Sequence, residues 1–481
     1  MTLTTAQLDR AIGALLATAA GDALGAAYEF GPPRGPELEV AMVGGGGFGW
    51  EPGEWTDDTS MAIAIAEAAA TGADLREEQA LDSIARRWHE WSQRAKDVGV
   101  QTRSVLSRAG QHGMSAQSAR TEAAALHTRT GRTAGNGSLM RTVPVALAYV
   151  DDEAALVQAA RVVSELTHYD PEAGDACVLW CLAVRHSILT GNLEVRIGLR
   201  HIDAERRDLW ATRLDVAEGS QPSDFTNNGW VVEALQAAWS AITTTPVPQD
   251  DPAAGVFRAD HLRRALDAAV RGGGDTDTVA AIAGGLLGAA YGASAVPAEW
   301  RRVLHGWPGL RTRGLVALAA RIVKADKPFS YDVEPLTPVR HPHDDGVWLA
   351  NIATLRALPP GVDAVVSLCR LNDDDLPTGV EQIDIRLIDE IDPDANPNLD
   401  FVLTDTVRLI EQLRAEGRTV LLHCVACQSR TPTVAALYGA RRHGFSGMLA
   451  LQEVTSVLPA AWPNRNFRNA IERLATASRA R

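Results

Sequence analysis

Two short stretches of this chain place acidic and hydroxyl side chains directly before apolar helical runs. The first is 53–59 and the second is 272–278. Together they supply oxygen donors without sulfur or imidazole, from Thr56, Asp57, Asp58, Asp275, Asp277 and Thr278. Such ligands suit magnesium, calcium or manganese better than zinc. We therefore predict that the fold joins the two stretches around cations, which would let several carboxylates lie close together without taking up protons.

The same residues have a plainer interpretation. Asp and Thr are favoured at helix N-caps, so each stretch could simply start its own helix. A single stretch would be explained well enough in that way. Two matching stretches favour a metal centre.

A further acidic residue, Asp22, lies between Gly21 and Gly25, just after a helix predicted over 5–20. An unpaired carboxylate in so apolar a segment is costly to bury, so it needs a partner, a proton or a metal. Alternatively, the glycines pack against another helix while Asp22 caps a neighbouring turn. We retain Asp22 as a candidate substrate-binding residue.

Three polar segments of the helical region could contact a nucleotide. The amides of loop 135–141, together with Ser138, could hold a pyrophosphate. His168 ends one helix and is either a catalytic group or part of a satisfied cap. Trp230 could stack on a base or belong to the core.

Taken in order, these motifs resemble the ADP-ribosylglycohydrolase family, the dinitrogenase-reductase-activating type of all-α hydrolase with a two-metal centre. The resemblance spans about residues 8–325 and rests on segments 21–25, 54–59, 136–141, 167–168, 229–231 and 275–278. It implies that two magnesium or manganese ions are held by Thr56, Asp57, Asp58, Asp275, Asp277 and Thr278. It also implies that Glu29 lies on a mobile loop near the scissile bond. The ADP-ribose would be seated by Gly137, Ser138 and His168.

The implied reaction is hydrolysis of an N- or O-glycosidic bond to ribose, which develops oxocarbenium-like charge at C1″. A divalent cation would orient the neighbouring hydroxyls and make water a better nucleophile. Glu29 is the candidate acid or gate. We expect the water's proton to be taken by one of Asp57, Asp58, Asp275 and Asp277.

The C-terminal part carries a different chemistry. Residues 419–423 are typical of a buried strand, Cys424 and Arg430 follow in a loop, and a helix is predicted over 433–443. This arrangement is the phosphate cradle of cysteine phosphatases. The loop amides and Arg430 would bind phosphoryl oxygens, and their positive field would favour the thiolate of Cys424.

This segment resembles the dual-specificity and tyrosine phosphatase family over about residues 346–478. The resemblance implies that Cys424 is the nucleophile, Arg430 the phosphate clamp and Asp389 the general acid, with Asp392 as second choice. Residues 462–464 and Phe467 match the closing segment of the family.

Cys427 departs from that family's pattern, which has glycine at this position, and its side chain could crowd the loop. The Cys424–Cys427 pair could also form a disulfide that switches the site off. A third possibility is a loop that binds anions without turning them over.

The elements that must position these residues are of two kinds. Alanine-rich helical segments predict an all-α domain over 1–325. The proline-rich stretch 326–345 is predicted to be a linker. Buried strands at 364–368 and 419–423 alternate with helices such as 399–414, which predicts an α/β domain over 346–481.

Composition narrows the class of protein. The 481-residue chain carries a net charge of -14 with a pI near 5.4, which argues against a general nucleic-acid or membrane-surface binder. Five scattered cysteines are too few for a disulfide framework and favour a reducing cytoplasm. The N-terminal stretch lacks a basic leader, and no apolar run reaches membrane-spanning length.

The sequence thus predicts a cytoplasmic, metal-dependent hydrolase that removes ADP-ribose from a modified protein or another acceptor. Its C-terminal domain would bind a phosphate-bearing ligand. One alternative is an ADP-ribose-binding regulatory protein whose phosphatase-like domain is inactive or redox-switched. Another is that both domains act on one phosphorylated ADP-ribose derivative.

Overall fold

The computed structural model describes residues 2–325, 330–372 and 377–478, which divide into two compact units. Unit 1 comprises the described residues within Met1–Pro246, Leu262–Val296 and Val303–Asp326. Unit 2 comprises those within Val247–His261, Pro297–Arg302 and Lys327–Arg481. The predicted fold class, an all-α domain followed by an α/β domain, is confirmed. The exact domain boundaries at 325 and 346 stay a prediction.

Helices make up almost all of the regular structure before residue 325. They are α1 Thr5–Gly25, α2 Asp57–Ala70, α3 Glu78–Ser92, α4 Val100–Gln111, α5 Ala116–Thr130, α6 Val143–Ala148, α7 Glu153–Glu165, α8 Pro171–Thr190, α9 Ala204–Gly219, α10 Val231–Thr244, α11 Asp260–Arg271, α12 Thr276–Tyr291, α13 Ala298–Val303 and α14 Thr312–Ile322. Short 3-10 helices cover Asn136–Ser138, Arg196–His201, Pro222–Asp224 and Ala293–Ala295. Two short antiparallel strands, β1 His305–Gly306 and β2 Leu310–Arg311, precede α14.

Helices α1 and α12 form the centre of unit 1 and pack with their backbones almost touching. This is possible because small residues line both helices. A Cβ atom at Gly25 would lie 2.5 Å from the Cα of Asp277, and one at Gly13 would lie 2.5 Å from the carbonyl carbon of Gly292. A side chain would force the helices apart at either position. The close packing sets the end of α1, with Asp22, against the start of α12, with Asp277.

Unit 2 is built on a five-stranded sheet in the order β3-β4-β7-β5-β6. Its elements are β3 Val339–His341, β4 Asp344–Asn351, β5 Ala364–Ser367, β6 Glu381–Asp384, α15 Leu399–Ala415, β7 Val420–Cys424, α16 Arg430–His443, α17 Gly447–Val457 and α18 Arg465–Ser478. Short 3-10 helices cover Ile352–Arg356 and Pro393–Ala395. Strand β3 pairs with β4 in the antiparallel sense and the other pairs are parallel. Strands β5 and β7 are buried throughout, as expected of central parallel strands.

The predicted linker 326–345 includes strand β3, which the sequence analysis missed. Pro338 directly precedes the strand, and proline is tolerated at a strand start although it breaks a sequence pattern. Residues 326–329 of that range lie outside the described part of the chain. Within the described ranges, no helix combines the length and the apolar character needed to cross a bilayer.

Candidate active sites

The first acidic stretch opens helix α2, where Thr56 is the N-cap and Asp57 and Asp58 begin the first turn. Asp58 is fully buried and accepts a hydrogen bond from the Thr56 hydroxyl at 2.9 Å. Asp22 accepts hydrogen bonds from the backbone amides of Thr56 at 2.8 Å and Thr59 at 2.9 Å. Asp22 therefore satisfies the otherwise unpaired amides of this helix start.

The Asp22 side chain is fully buried and also accepts a hydrogen bond from the Thr59 hydroxyl at 2.6 Å. Asp22 thus positions the first turn of α2, as in the capping interpretation that the sequence left open. Substrate binding by Asp22 stays a prediction.

The second acidic stretch opens helix α12, with Asp275 as its N-cap residue and Asp277 in the first turn. Two asparagines hold Asp275 from outside the helix. The Asn136 amide donates to the Asp275 carboxylate at 2.7 Å, and the Asn228 side-chain oxygen accepts from the Asp275 backbone amide at 2.9 Å. A Cβ atom at Gly274 would lie 2.5 Å from that same Asn228 oxygen. The residue before Asp275 must therefore be glycine.

The two helix starts converge, as the sequence predicted. One oxygen each from Asp22, Asp58 and Asp277 lies within 4.8 Å of the others, and the same holds for Glu29, Asp275 and Asp277. Asp277 belongs to both groups and so joins them.

The loop that carries Glu29 is fixed to the start of α12 by its backbone. The Phe30 amide donates to the Gly274 carbonyl at 2.7 Å, and the Gly274 amide donates to the Gly31 carbonyl at 2.9 Å. Phe30 has a φ of 60°, in the left-handed region that non-glycine residues rarely adopt. The strained turn directs Glu29 toward Asp275 and Asp277.

The predicted pyrophosphate loop is a 3-10 turn, Asn136–Ser138, that packs on His168. A Cβ atom at Gly137 would lie 3.1 Å from the His168 ring. The Thr167 hydroxyl accepts from Arg141 at 2.6 Å and lies 2.7 Å from His168 Nδ1. The Thr167 hydroxyl thus links Arg141 to the His168 ring, whose Nε2 atom lies beside the loop. Burial lowers the pKa of His168 well below its usual value, so the ring is neutral.

Trp230 lies at the start of α10, half-buried, and its indole N–H donates to Glu172 at 3.0 Å. The Arg213 guanidinium lies 5.4 Å from its ring centre. Trp230 also pairs through its backbone with Gly135, next to the 3-10 turn. The ring is thus held at the loop.

In unit 2, strand β7 ends at Cys424 and helix α16 begins at Arg430, one turn earlier than the sequence predicted. Arg430 donates to the carbonyls of Leu368 at 2.8 Å and Leu387 at 3.2 Å. Its Nε atom is buried and donates to no described residue. An anion in the loop would satisfy that donor.

Asp389 is tied directly to this loop. It accepts hydrogen bonds from the Ser429 hydroxyl at 2.7 Å and from the Asn464 amide at 2.9 Å. Asp392 is exposed and caps the 3-10 helix at Pro393–Ala395. The geometry therefore favours Asp389 over Asp392 as the acid near Cys424.

Cys427 has a φ of 59°, in the left-handed region where glycine is preferred. Its thiol is almost fully buried, as is that of Cys424. Burial, followed by the neighbouring Cys424, raises the pKa of Cys427. The strained residue keeps its thiol protonated inside the loop.

Comparison with known proteins places the first part of the chain. A family profile described as ADP-ribosylglycohydrolase matches residues 3–329. The chain belongs to the ADP-ribosylglycohydrolase family. The ADP-ribosylarginine hydrolase Tri1 of Pseudomonas putida (strain GB-1) is 31% identical over 305 residues, covering 62% of this chain and 75% of the relative. The ADP-ribosyl-[dinitrogen reductase] glycohydrolase of Rhodospirillum rubrum is 32% identical over 305 residues, covering 61% and 89%.

The C-terminal region matches a different group. Dual specificity protein phosphatase 1 of Arabidopsis thaliana is 34% identical over 83 residues, which cover 17% of this chain and 40% of the relative. The chain is therefore an ADP-ribosyl glycohydrolase, a hydrolase, joined to a dual-specificity-phosphatase-like domain.

The acidic centre suits the metal dependence of the ADP-ribosylglycohydrolase family. Burial is the main cause that raises the pKa of Asp57 to about 8 and that of Glu29 to about 9, with neighbouring carboxylates adding to both. The pKa values of Asp58 and Asp277 are raised well above the usual range for the same reasons. One oxygen of Asp58 and one of Glu29 are buried and accept no hydrogen bond from any described residue. Cations would satisfy these oxygens and offset the repulsion.

Sequence reasoning missed Asp97 in this ADP-ribosylglycohydrolase site. Asp97 lies on the loop after α3, and its charge contributes to the raised pKa of Asp57 and of Glu29. Burial raises the pKa of Asp97 itself. A lone aspartate in an irregular loop gives no pattern by which it could have been found. Asn136 and Asn228, in contrast, lie in or next to motifs that the sequence analysis identified, although it assigned neither residue a function.

Proposed function

We propose that this ADP-ribosylglycohydrolase releases ADP-ribose from arginine side chains of modified proteins, with two divalent cations bound at its acidic centre. The supporting observation is the convergence of carboxylates from α1, the Glu29 loop, α2 and α12 on Asp277. Arginine as the acceptor is supported by the similarity to Tri1, which is named an ADP-ribosylarginine hydrolase.

The cation ligands would be Thr56, Asp57, Asp58, Asp275, Asp277 and Thr278. Magnesium or manganese held there would supply positive charge and lower the pKa of water. The chain's own oxygens fit the role, since hydroxyl and carboxylate groups are the ligands that both ions prefer.

The remaining residues position the substrate and move protons. Gly137, Ser138 and the His168 ring would hold the phosphates and ribose of ADP-ribose, and Trp230 would lie against the adenine. One carboxylate of the centre takes the proton of the attacking water. Glu29, whose pKa burial raises to about 9 when no cation is bound, would be the acid or gate beside the leaving nitrogen.

The test is release of labelled ADP-ribose from a panel of defined linkages to arginine, serine and a nucleic-acid base, with magnesium or with EDTA. We expect release from arginine in magnesium and at least about a hundredfold less in EDTA. Cleavage of another linkage alone would overturn the arginine assignment. No release from any linkage, with ADP-ribose binding measurable by calorimetry, would make the site a binding site.

We further propose that the loop 424–430 binds phosphate monoesters and turns them over. The supporting observation is that Asp389 is hydrogen-bonded to Ser429, next to an Arg430 with a free buried donor. The Cys424 thiolate would attack phosphorus while Asp389 gives its proton to the leaving oxygen, and water would then hydrolyse the phosphocysteine to phosphate. A disulfide oxidant such as oxidised glutathione would convert Cys424 and Cys427 to a disulfide, with release of two thiols of glutathione, and would so remove the nucleophile.

A phosphotyrosine analogue such as p-nitrophenyl phosphate, assayed with and without reductant, tests this second proposal. Turnover that needs reductant would indicate a redox-switched phosphatase. No turnover in either state, together with measurable binding of inorganic phosphate, would contradict the phosphatase proposal and favour a binding module.

A further inference from the structure

A cleft of about 710 Å³ opens beside the acidic centre of unit 1. Its inner end is formed by Thr56 and Asp57, and the loop after α3 contributes Lys96 and Asp97 to its wall. The indoles of Trp50 and Trp91 also line it. The cleft therefore reaches one of the carboxylates expected to act in the reaction.

The lining of this cleft includes neither the 3-10 turn at Gly137 nor His168. That turn meets the acidic centre elsewhere, because Asn136 joins it to Asp275. The turn therefore contacts the centre at Asp275, whereas the cleft contacts it at Asp57. If ADP-ribose binds at the turn, the cleft is free to receive the group on the other side of the scissile bond.

The chemistry of the cleft suits a guanidinium. Such a cation binds carboxylates through paired N–H donors and stacks on indole faces. Three cations line the cleft: Lys96, Arg94 and Arg87, of which Arg87 pairs with Glu67 at 2.9 Å. Lys96 donates to Glu54 at 2.6 Å and lies 5.0 Å from the Trp50 ring centre. Lys96 thus lies between a carboxylate and an indole, which is the environment that would bind an incoming guanidinium.

We propose that this cleft is the acceptor site, in which Glu54 and Trp50 receive the arginine side chain that leaves the ADP-ribose, in competition with Lys96. The inference rests on the proposed ADP-ribosylarginine hydrolysis. It adds a subsite for the leaving group and a residue that sets the affinity of that subsite.

The test compares Glu54→Gln with Lys96→Met in the full chain. Both variants break the same ion pair, but they have opposite effects on an acceptor site. The readouts are the inhibition constants of agmatine, a free guanidinium compound, and of ADP-ribose, measured during release of labelled ADP-ribose. Glu54→Gln should weaken agmatine inhibition about tenfold, because a charge-assisted contact is lost. Lys96→Met should strengthen it about threefold, because a competing cation is removed. The ADP-ribose constant should stay unchanged in both.

Equal weakening of agmatine in the two variants would mean that the ion pair is only structural, and would overturn the proposal. A changed ADP-ribose constant would place ADP-ribose in the cleft and would also overturn it. So would a wild-type enzyme that hydrolyses its substrate but ignores agmatine. Failure of the proposed function would look different, because the wild type would then release no ADP-ribose from arginine at all.

Discussion

The two sites of this chain both lie at helix N-termini, but the side chains there carry opposite charges. In unit 1, the first turns of α2 and α12 carry carboxylates, and burial, followed by the neighbouring negative charges, raises the pKa values of Asp57 and Asp277. In unit 2, the first turn of α16 carries Arg430 next to a buried thiol. A helix N-terminus itself favours anions. The side chains placed on it decide whether the site needs a cation or an anion.

The unsatisfied atoms of the two sites make the same contrast. Among the carboxylates of the acidic centre in unit 1 they are acceptors, one oxygen each of Asp58 and Glu29. In unit 2, Arg430 Nε is a donor that reaches no described residue. Buried polar atoms normally have partners, so unsatisfied acceptors suit a cation and an unsatisfied donor suits an anion.

The largest expected effect separates the two chemistries. Cys424→Ser removes the thiolate and should lower turnover of p-nitrophenyl phosphate at least about a thousandfold. Release of ADP-ribose should be unaffected, because the acidic centre uses other residues. Assay of both activities on one preparation measures this, and loss of both would mean that the sites are not independent.

A smaller effect is expected from Asn228→Ala, which leaves every proposed cation ligand in place. The change removes the contacts that orient Asp275, and loss of such supporting contacts typically costs about 10- to 100-fold in activity or metal affinity. Titration of magnesium in the ADP-ribose release assay measures it. Trp462→Ala, an exposed position of unit 2, is the control. Unchanged magnesium dependence in Asn228→Ala would contradict the assigned role.

Stability should depend on pH in a direction set by the acidic centre. The folded chain keeps the protons of Asp57 up to about pH 8 and of Glu29 up to about pH 9. Unfolded carboxyls lose them near about pH 4. Unfolding between these values releases protons, so in EDTA the free energy of unfolding should fall as pH rises from 5.5 to 8.5, with a slope of up to about 2.7 kcal/mol per pH unit for the two groups together.

Magnesium should flatten that slope, because a bound cation stabilises the ionised carboxylates. Thermal unfolding at several pH values, with magnesium and with EDTA, measures both. A slope of the same size in magnesium and in EDTA would show that these carboxylates do not bind the cation.

The smallest effect concerns Cys427. Cys427→Gly relieves a left-handed backbone and should stabilise unit 2 by up to about 1 kcal/mol, less the entropy cost of glycine. Cys427→Ala removes the thiol but keeps the strain. If both variants make phosphatase turnover independent of reductant, the thiol is responsible; a gain in stability confined to the glycine variant identifies the strain. Equal stability of the two variants would contradict the strain argument.

The contrast between the two sites was largely foreseeable from the sequence, because each site lies on contiguous motifs. Asp57, Asp58, Asp275 and Asp277 precede apolar helical runs, and Cys424 precedes Arg430 at a fixed spacing. Local sequence also foretold the central strands β5 and β7, whose residues are uniformly apolar or buried.

What the sequence did not reveal depends on long-range contacts. Asp22 caps α2 because the packing of α1 on α12 brings the Asp22 carboxylate within hydrogen-bonding distance of the first amides of α2. Asp97 comes near Asp57 because of the path of the loop that follows α3. Strand β3 forms only because β4 pairs with it, despite the prolines around it. None of these contacts produces a periodic pattern in the amino-acid sequence.

The central claim is that the acidic centre of unit 1 hydrolyses the ADP-ribosyl bond. Its most direct test is release of labelled ADP-ribose from an ADP-ribosylated arginine protein in magnesium, by the wild type and by the variant with both Asp57→Ala and Asp58→Ala. Circular dichroism would verify that the variant is folded. We predict that the wild type releases the label and that the folded variant releases none above background. Full activity of the double variant would contradict the claim.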